Sequence, residues 1–322
     1  MSAPEVILPK TAHPAFNKAA QYFGIKVVTL PVALPDFRVD PEAVAACINE
    51  NTAALVGSAG NYPYGLIDPL ASLSELALEH DVGFHVDGCL GGFILPWIEK
   101  LGYDLPPFDF RLKGVTSMSA DTHKFGFALK GTSVVLYRSN DYRKYQYFTF
   151  PDWPGGIYAS PTSAGSRSGG LSAATWASMV SLGEAGYLKA ARAIMDVADQ
   201  MKAGVEAIEE LIVIGEPTFL ISFRSETVDI FHVNDFMKTR GWRFNCLQLP
   251  PALHFCVTMP QTRVANLTET FARDLREGVK YARENAGTPA QSSALYGLAG
   301  TVEGNQQVTD LLCGVFDHMY AL

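Results

Sequence analysis

The chain has 322 residues, with 25 Lys and Arg against 33 Asp and Glu and a formal net charge of -8. That balance opposes a nucleic-acid-binding role, which needs a basic footprint, and 48% hydrophobic with 18% charged residues argues against disorder. Five scattered cysteines without a CxxC spacing support neither a zinc site nor a disulfide framework and suit a reducing, cytoplasmic compartment. No apolar run approaches the roughly 20 residues of a membrane span, and the N-terminus lacks a basic-then-apolar signal pattern; the expectation is a cytoplasmic chain or, in a longer parent, one with a membrane anchor.

The first half alternates strand and helix. Met1 leads at once into Val6-Ile7-Leu8-Pro9, so the chain is expected to begin inside a larger domain. Strands are predicted at Glu5–Leu8 and Lys26–Leu30, with a helix from about Pro14 to Phe23 between them. A helix over Pro41–Asn49, an apolar strand over Ala53–Ser58 and an amphipathic helix over Leu70–His80 follow. Gly83–Asp87, Gly114–Ser119 and Ser133–Tyr137 complete the strands. This alternation predicts an α/β fold with a mostly parallel sheet. The segment from Phe148 to Gly170 is rich in Gly, Pro, Ser and aromatics and has no clear period. Such long connectors often carry function. A long helix is predicted from about Leu171 to Glu209. Strands at Ile212–Ile214, Leu220–Phe223 and Phe255–Thr258, with helices near Val233–Arg240 and Arg263–Glu284, make a smaller α+β domain. The expected division is a large domain over 1–170 and the long helix with the small domain over 171–322.

Asp121-Thr122-His123-Lys124 follows the apolar stretch Val115–Met118 and precedes Gly126. A lysine just past a buried strand end can be desolvated, so that its amine becomes a nucleophile toward an aldehyde. The aldehyde cofactor that uses such a lysine is pyridoxal 5'-phosphate, which also needs an acid beside its ring nitrogen. Asp87, at the end of Phe84-His85-Val86-Asp87-Gly88, is the candidate. Each has a plainer reading: Lys124 as a snorkelling strand-end charge, Asp87 as a helix cap. The pair sets the chemistry. His85 shares the Asp87 face of its strand, either supporting Asp87 or packed as a satisfied core imidazole. His123 can bond a phosphate or pack as a neutral ring, and Asp121 can orient a histidine or cap the turn. His13, before the first helix, offers a flat ring for stacking. Lys130 offers a second cation for a substrate phosphate, or is a solvated loop lysine. Gly165-Ser166-Arg167-Ser168-Gly169-Gly170 opens a helix with backbone donors suited to an anion. Tyr62 follows a strand and can bring a phenol to the pocket or pack the turn.

The runs His85-Val86-Asp87-Gly88-Cys89-Leu90-Gly91-Gly92-Phe93, Ser119 to Gly131, and Gly155-Gly156-Ile157-Tyr158-Ala159-Ser160-Pro161 through Gly170 resemble the sphingosine-1-phosphate lyase family. That family lies among the fold-type-I pyridoxal-phosphate enzymes, beside the group II amino-acid decarboxylases. The resemblance continues through Gln248-Leu249-Pro250-Pro251 and His254-Phe255-Cys256 to Tyr296-Gly297. It implies Lys124 as the Schiff-base lysine, Asp87 as the partner of the ring nitrogen and His13 stacked on the ring. It implies His123 at the cofactor phosphate, Ser166 reaching that phosphate from the other subunit of a homodimer, Lys130 at the substrate phosphate and Tyr62 near the reacting hydroxyl. The chain departs from the family in two places. Gly88 stands where alanine is usual, which is expected to loosen packing beneath the ring. No Gly-Thr-Glu-Ser-type phosphate loop precedes His13.

The implied activity is carbon–carbon cleavage of a phosphorylated sphingoid base to a long-chain aldehyde and ethanolamine phosphate. The alternatives are an amino-acid decarboxylase, which has no use for Lys130, and an inactive lyase-like fragment with a binding or scaffold role.

Overall fold

The structure, a computed structural model, describes residues 3–293 and 302–321. Two compact units emerge, one of residues 1–62 with 66–192 and one of 63–65 with 193–322. The division falls between Arg192 and Ala193, well inside the long helix rather than at its start.

In the first unit, β1 (Glu5–Pro9) is followed by α1 (Ala15–Phe23), β2 (Lys26–Leu30), the short hairpin β3 (Val32–Ala33) and β4 (Arg38–Val39), and α2 (Pro41–Cys47). Asp40 caps α2 by accepting from the Glu42 amide at 3.0 Å, with Pro41 at the first helical position. Next come β5 (Thr52–Ser58), α3 (Leu70–Glu79), β6 (Gly83–Asp87), α4 (Leu95–Lys100), β7 (Ser117–Ala120) and β8 (Val134–Tyr137). The six longer strands form one sheet in the order β2-β1-β5-β6-β7-β8, parallel except for the antiparallel β7–β8 pair. Central strands of a parallel sheet are covered on both faces, which explains the near-continuous apolar run of β5. Helix α3 turns Leu70, Leu73 and Ala77 inward at helical spacing.

The segment read as aperiodic holds more structure than its sequence announces. After α5 (Asn140–Arg143), β9 (Phe148–Phe150) and β10 (Tyr158–Ser160) form an antiparallel hairpin. Three-residue strands are too short to display an alternation. Helix α6 (Gly169–Glu206) is interrupted at Gly183, whose φ of 56° and ψ of -176° are open to glycine alone.

The second unit pairs β11 (Ile212–Val213), β12 (Leu220–Arg224), β13 (Asn245–Gln248) and β14 (Pro251–Cys256) into an antiparallel sheet ordered β11-β12-β14-β13. Helix α7 (Ile230–Thr239) is capped by Asp229, and α8 (Leu267–Glu284) buries Phe271, Leu275, Val279 and Ala282 on one face. Trp242 packs edge-on against Phe271 at 5.3 Å while its indole N–H donates to the buried Asp274. Helix α9 (Val302–Tyr320) ends the described chain; Tyr296-Gly297 lies outside the described residues. The last strand is Pro251–Cys256 rather than Phe255–Thr258, and β13 was not anticipated, because Pro250-Pro251 reads as a break although Leu249-Pro250 turns the hairpin and Pro251 opens β14.

Candidate active site

Neighbouring parallel strands bring the candidate residues to one edge of the sheet. His13 follows β1, Tyr62 follows β5, Asp87 ends β6 and Lys124 follows β7. In spatial order these strands are β1-β5-β6-β7. Ligands of open α/β sheets sit outside such carboxyl ends. Ser58, Asp87 and Ser119 are register partners on β5, β6 and β7.

Asp87 is 8% exposed. Its Oδ1 accepts from the Cys89 amide at 3.0 Å and from the Ser119 hydroxyl at 3.1 Å. Both donors are neutral, and among the described residues no Lys or Arg pairs with this carboxylate. Buried charges ordinarily find a partner. His85, partly buried, bonds Ser117 through Nδ1 at 2.8 Å and approaches Ser119 through Nε2 at 3.4 Å. Burial lowers its pKa, against the opposing pull of Asp87, so the ring is neutral at pH 7. Burial first, then the Asp87 charge, pushes the Cys89 thiol up to about 12, so it is no thiolate nucleophile.

Lys124 corrects one expectation. Its side chain is 32% exposed, and its Nζ is 2.8 Å from Asp121 Oδ2. The amine is therefore ion-paired rather than stripped of polar company, and Asp121 serves the lysine more closely than it serves His123, whose Nε2 lies 3.7 Å away. The His123 Nδ1–H is donated to the Thr132 carbonyl, which fixes the ring. Thr122 ties the same strand-to-loop turn by donating to the Thr132 carbonyl at 2.9 Å. His13 is exposed, and its Nδ1 accepts from the Ala15 amide at 3.2 Å. Phe16, in the first turn of α1, packs edge-on to His85 at 5.7 Å, so the segment after β1 reaches the β6 side chains. Tyr62, Lys130 and Ser166 are exposed, and Ser168 rather than Ser166 accepts from the first turn of α6.

Sequence reasoning missed Ser119 and Asp68. Ser119 lies within a motif that was read, but its contact with Asp87 depends on strand register. Asp68 is fully buried. Its Oδ2 accepts from the Ser58 amide at 2.7 Å, and its own amide donates to the Ser58 carbonyl at 3.0 Å. Burial pushes its carboxyl up to about 7, and the nearby Asp87 charge adds to the effect. A separate cavity of about 540 Å³ is lined by Gly92, Phe108, Phe110, Met118, Ala120 and Leu136 among others. Met118 and Ala120 alternate with Ser117 and Ser119, so this cavity, which Asp109 and Arg111 also line, lies behind the sheet from Asp87.

Residues 3–226 match the pyridoxal-dependent decarboxylase conserved domain. The chain belongs to this family. Its cofactor is pyridoxal 5'-phosphate, and a buried carboxylate lacking a cation is what a protonated pyridine nitrogen requires, so the residues present fit the group. Within the family the chain groups with the sphingosine-1-phosphate lyases. It is 47% identical to the Arabidopsis thaliana sphingosine-1-phosphate lyase over 99% of its own length and 58% of that protein's. The Rattus norvegicus sphingosine-1-phosphate lyase 1 is 43% identical over 100% of the chain and 57% of its own length. The solved Burkholderia pseudomallei sphingosine-1-phosphate lyase superposes with a TM-score of 0.87 at 53% identity, over 96% of this chain and 67% of that one. Lactobacillus brevis glutamate decarboxylase, at 21% identity and a TM-score of 0.75, covers 87% of this chain and 66% of its own and shares the fold. The chain thus spans less than two thirds of the curated lyases it matches.

Proposed function

We propose that the chain carries the catalytic centre of a pyridoxal-phosphate-dependent carbon–carbon lyase acting on phosphorylated sphingoid bases. The observation that carries the reading is Asp87, a buried carboxylate with no cation beside it among the described residues, one strand from the lysine that follows β7. When bound, the cofactor supplies an electron sink for the pair released as the C2–C3 bond of the substrate breaks. Lys124 would hold the cofactor through its aldehyde carbon and supply the amine beside the reacting centre. Asp87 keeps a proton on the ring nitrogen. His13 would face the ring, His123 and Ser166 would hold the cofactor phosphate, and Lys130 would hold the substrate phosphate. Tyr62 or the Lys124 amine would take the proton of the C3 hydroxyl. His85 and Asp121 act behind Asp87 and Lys124 respectively. The products are a long-chain aldehyde and ethanolamine phosphate.

A second copy of the chain is part of this proposal. Tyr145, Ile157 and Trp176 expose 82%, 88% and 68% of their surfaces around the loop that carries Ser166. Large apolar side chains left this exposed suit an interface. Cytoplasmic residence is proposed from five free cysteines, and among the described residues no helix is long and apolar enough to cross a membrane.

The test is reconstitution with pyridoxal phosphate. The purified chain is expected to gain the violet absorbance of a lysine-linked cofactor, and Lys124→Ala to lack it and to lose at least a thousandfold in sphingoid-phosphate cleavage. Carbon dioxide release from an amino acid without aldehyde formation would move the assignment to a decarboxylase. A chain that stays colourless would point to the scaffold role.

A further inference from the structure

The Ser119 hydroxyl has one proton and several polar neighbours to divide it among. It donates to Asp87 Oδ1 at 3.1 Å. The Cys89 thiol donates to Ser119 Oγ at 3.3 Å, and His85 Nε2 lies 3.4 Å from the same oxygen. With its proton given to Asp87, Ser119 can only accept from His85, so a neutral His85 carries its hydrogen on Nε2. Its Nδ1 must then accept from the Ser117 hydroxyl at 2.8 Å. The chain of donors runs one way, from Ser117 through His85 and Ser119 to Asp87. The Cys89 amide donates to the same Asp87 Oδ1. Two donors converge on one oxygen of a buried carboxylate, and among the described residues Oδ2 receives none.

We propose that Ser119 is a positioning residue for the reaction: it fixes the Asp87 carboxylate through Oδ1 and keeps it ionised, so that the shared proton resides on the cofactor's ring nitrogen rather than on Asp87. This rests on the lyase reading of the site. A hydrogen bond to an ionised acceptor favours the charged form. Removing it makes Asp87 the better base and draws the proton off the ring. A less positive ring holds the proton of the lysine–cofactor linkage more tightly. The titratable groups around Asp87 are His85 on the same strand, Cys89 just after it, Asp68 before α3 and, more distantly, Asp121 after β7. His85 is neutral and Cys89 a thiol at pH 7, and neither loses its other partners when Ser119 is changed.

The experiment compares Ser119→Ala and Ser119→Thr with the unaltered chain, each loaded with pyridoxal phosphate. Cofactor affinity is read by fluorescence, and the linkage by the pH of its absorbance transition. Ser119→Ala is expected to weaken cofactor binding about tenfold and to move the transition up by about one pH unit. Ser119→Thr, which keeps the hydroxyl, is expected to restore both. An alanine variant whose transition stays at the unaltered pH overturns the proposal even if its melting temperature falls, since packing alone does not move a titration. If the unaltered chain takes up no cofactor, the lyase reading itself fails and this inference goes with it. A chain that loads normally, with an indifferent Ser119→Ala, removes the inference alone.

Discussion

Gly88 sits between Asp87 and Cys89, where the family resemblance sets alanine as the expectation. The sequence suggests a loosened floor beneath the ring, but the structure has a filled one. A Cβ at this position would lie 2.6 Å from the Met118 methyl and 2.8 Å from the Ser119 carbonyl oxygen. Met118 occupies the space an alanine would need, and the backbone of β7 closes the rest. Gly88→Ala is therefore expected to destabilise by about 1–3 kcal/mol through overpacking, measured by urea denaturation. Adding Met118→Val is expected to recover only part of that loss, because the carbonyl stays where it is. Full recovery would mean that the side chain alone sets the constraint. The burial of Asp87 was legible at this scale because a carboxylate is costly to bury without a reason, whereas Lys124 is a third exposed and ion-paired. Ser119 was not, since a serine announces nothing until the register sets it beside a carboxylate. The ion pair of Lys124 with Asp121 was equally hidden: both residues were noticed, but i,i+3 spacing in a non-helical turn does not dictate contact.

The joint between β5 and α3 belongs to the element scale. Asp68 clasps Ser58 through both its amide and its carboxylate, which closes the end of the strand beside Asp87. Burial pushes its carboxyl up to about 7, against an unfolded value near 3.9. Over that interval the native chain holds a proton that the unfolded chain has released. Stability from this group is therefore greatest below about pH 4, falls as pH rises toward 7 and levels off above it. An asparagine in its place would keep an acceptor for the Ser58 amide without the charge. Asp68→Asn is expected to flatten the stability profile between pH 5 and 8 relative to the unaltered chain, by an amount on the order of 2 kcal/mol, in paired denaturation curves. Identical slopes for the two proteins would show that Asp68 stays ionised or solvated. Elements of five or more residues with a clear period, such as β5, β6, α3 and α8, were readable from the sequence. The hairpins β3–β4 and β9–β10 were not, because two or three residues cannot establish a period, and β13 was obscured by the prolines that join it to β14.

At the scale of the whole molecule the first unit leaves an account open. A parallel sheet with helical cover was predicted from the strand and helix alternation and is present, yet the stretch from Tyr142 to Val180 turns large apolar side chains outward. Ile157 at the hairpin and Trp176 on α6 are among its most exposed residues. Soluble monomers rarely expose contiguous apolar patches beyond a few hundred Å², and a two-fold partner that presents the same patch is the commonest cover. The Ser166 loop lies within this stretch, so a second copy covering it would also bring that loop to a neighbouring cofactor phosphate. Ile157→Asp with Trp176→Asp places two charges where burial is needed, and each uncompensated buried charge costs several kcal/mol. The unaltered chain is expected to sediment as a dimer at micromolar concentration and the double variant as a monomer. If Ser166 acts across the interface, the monomer also binds pyridoxal phosphate at least tenfold more weakly, while Lys124 and Asp87 remain in place. A variant that dissociates but keeps full cofactor affinity would confine the cofactor site to a single chain. An unaltered chain that sediments as a soluble monomer would remove the two-fold cover altogether.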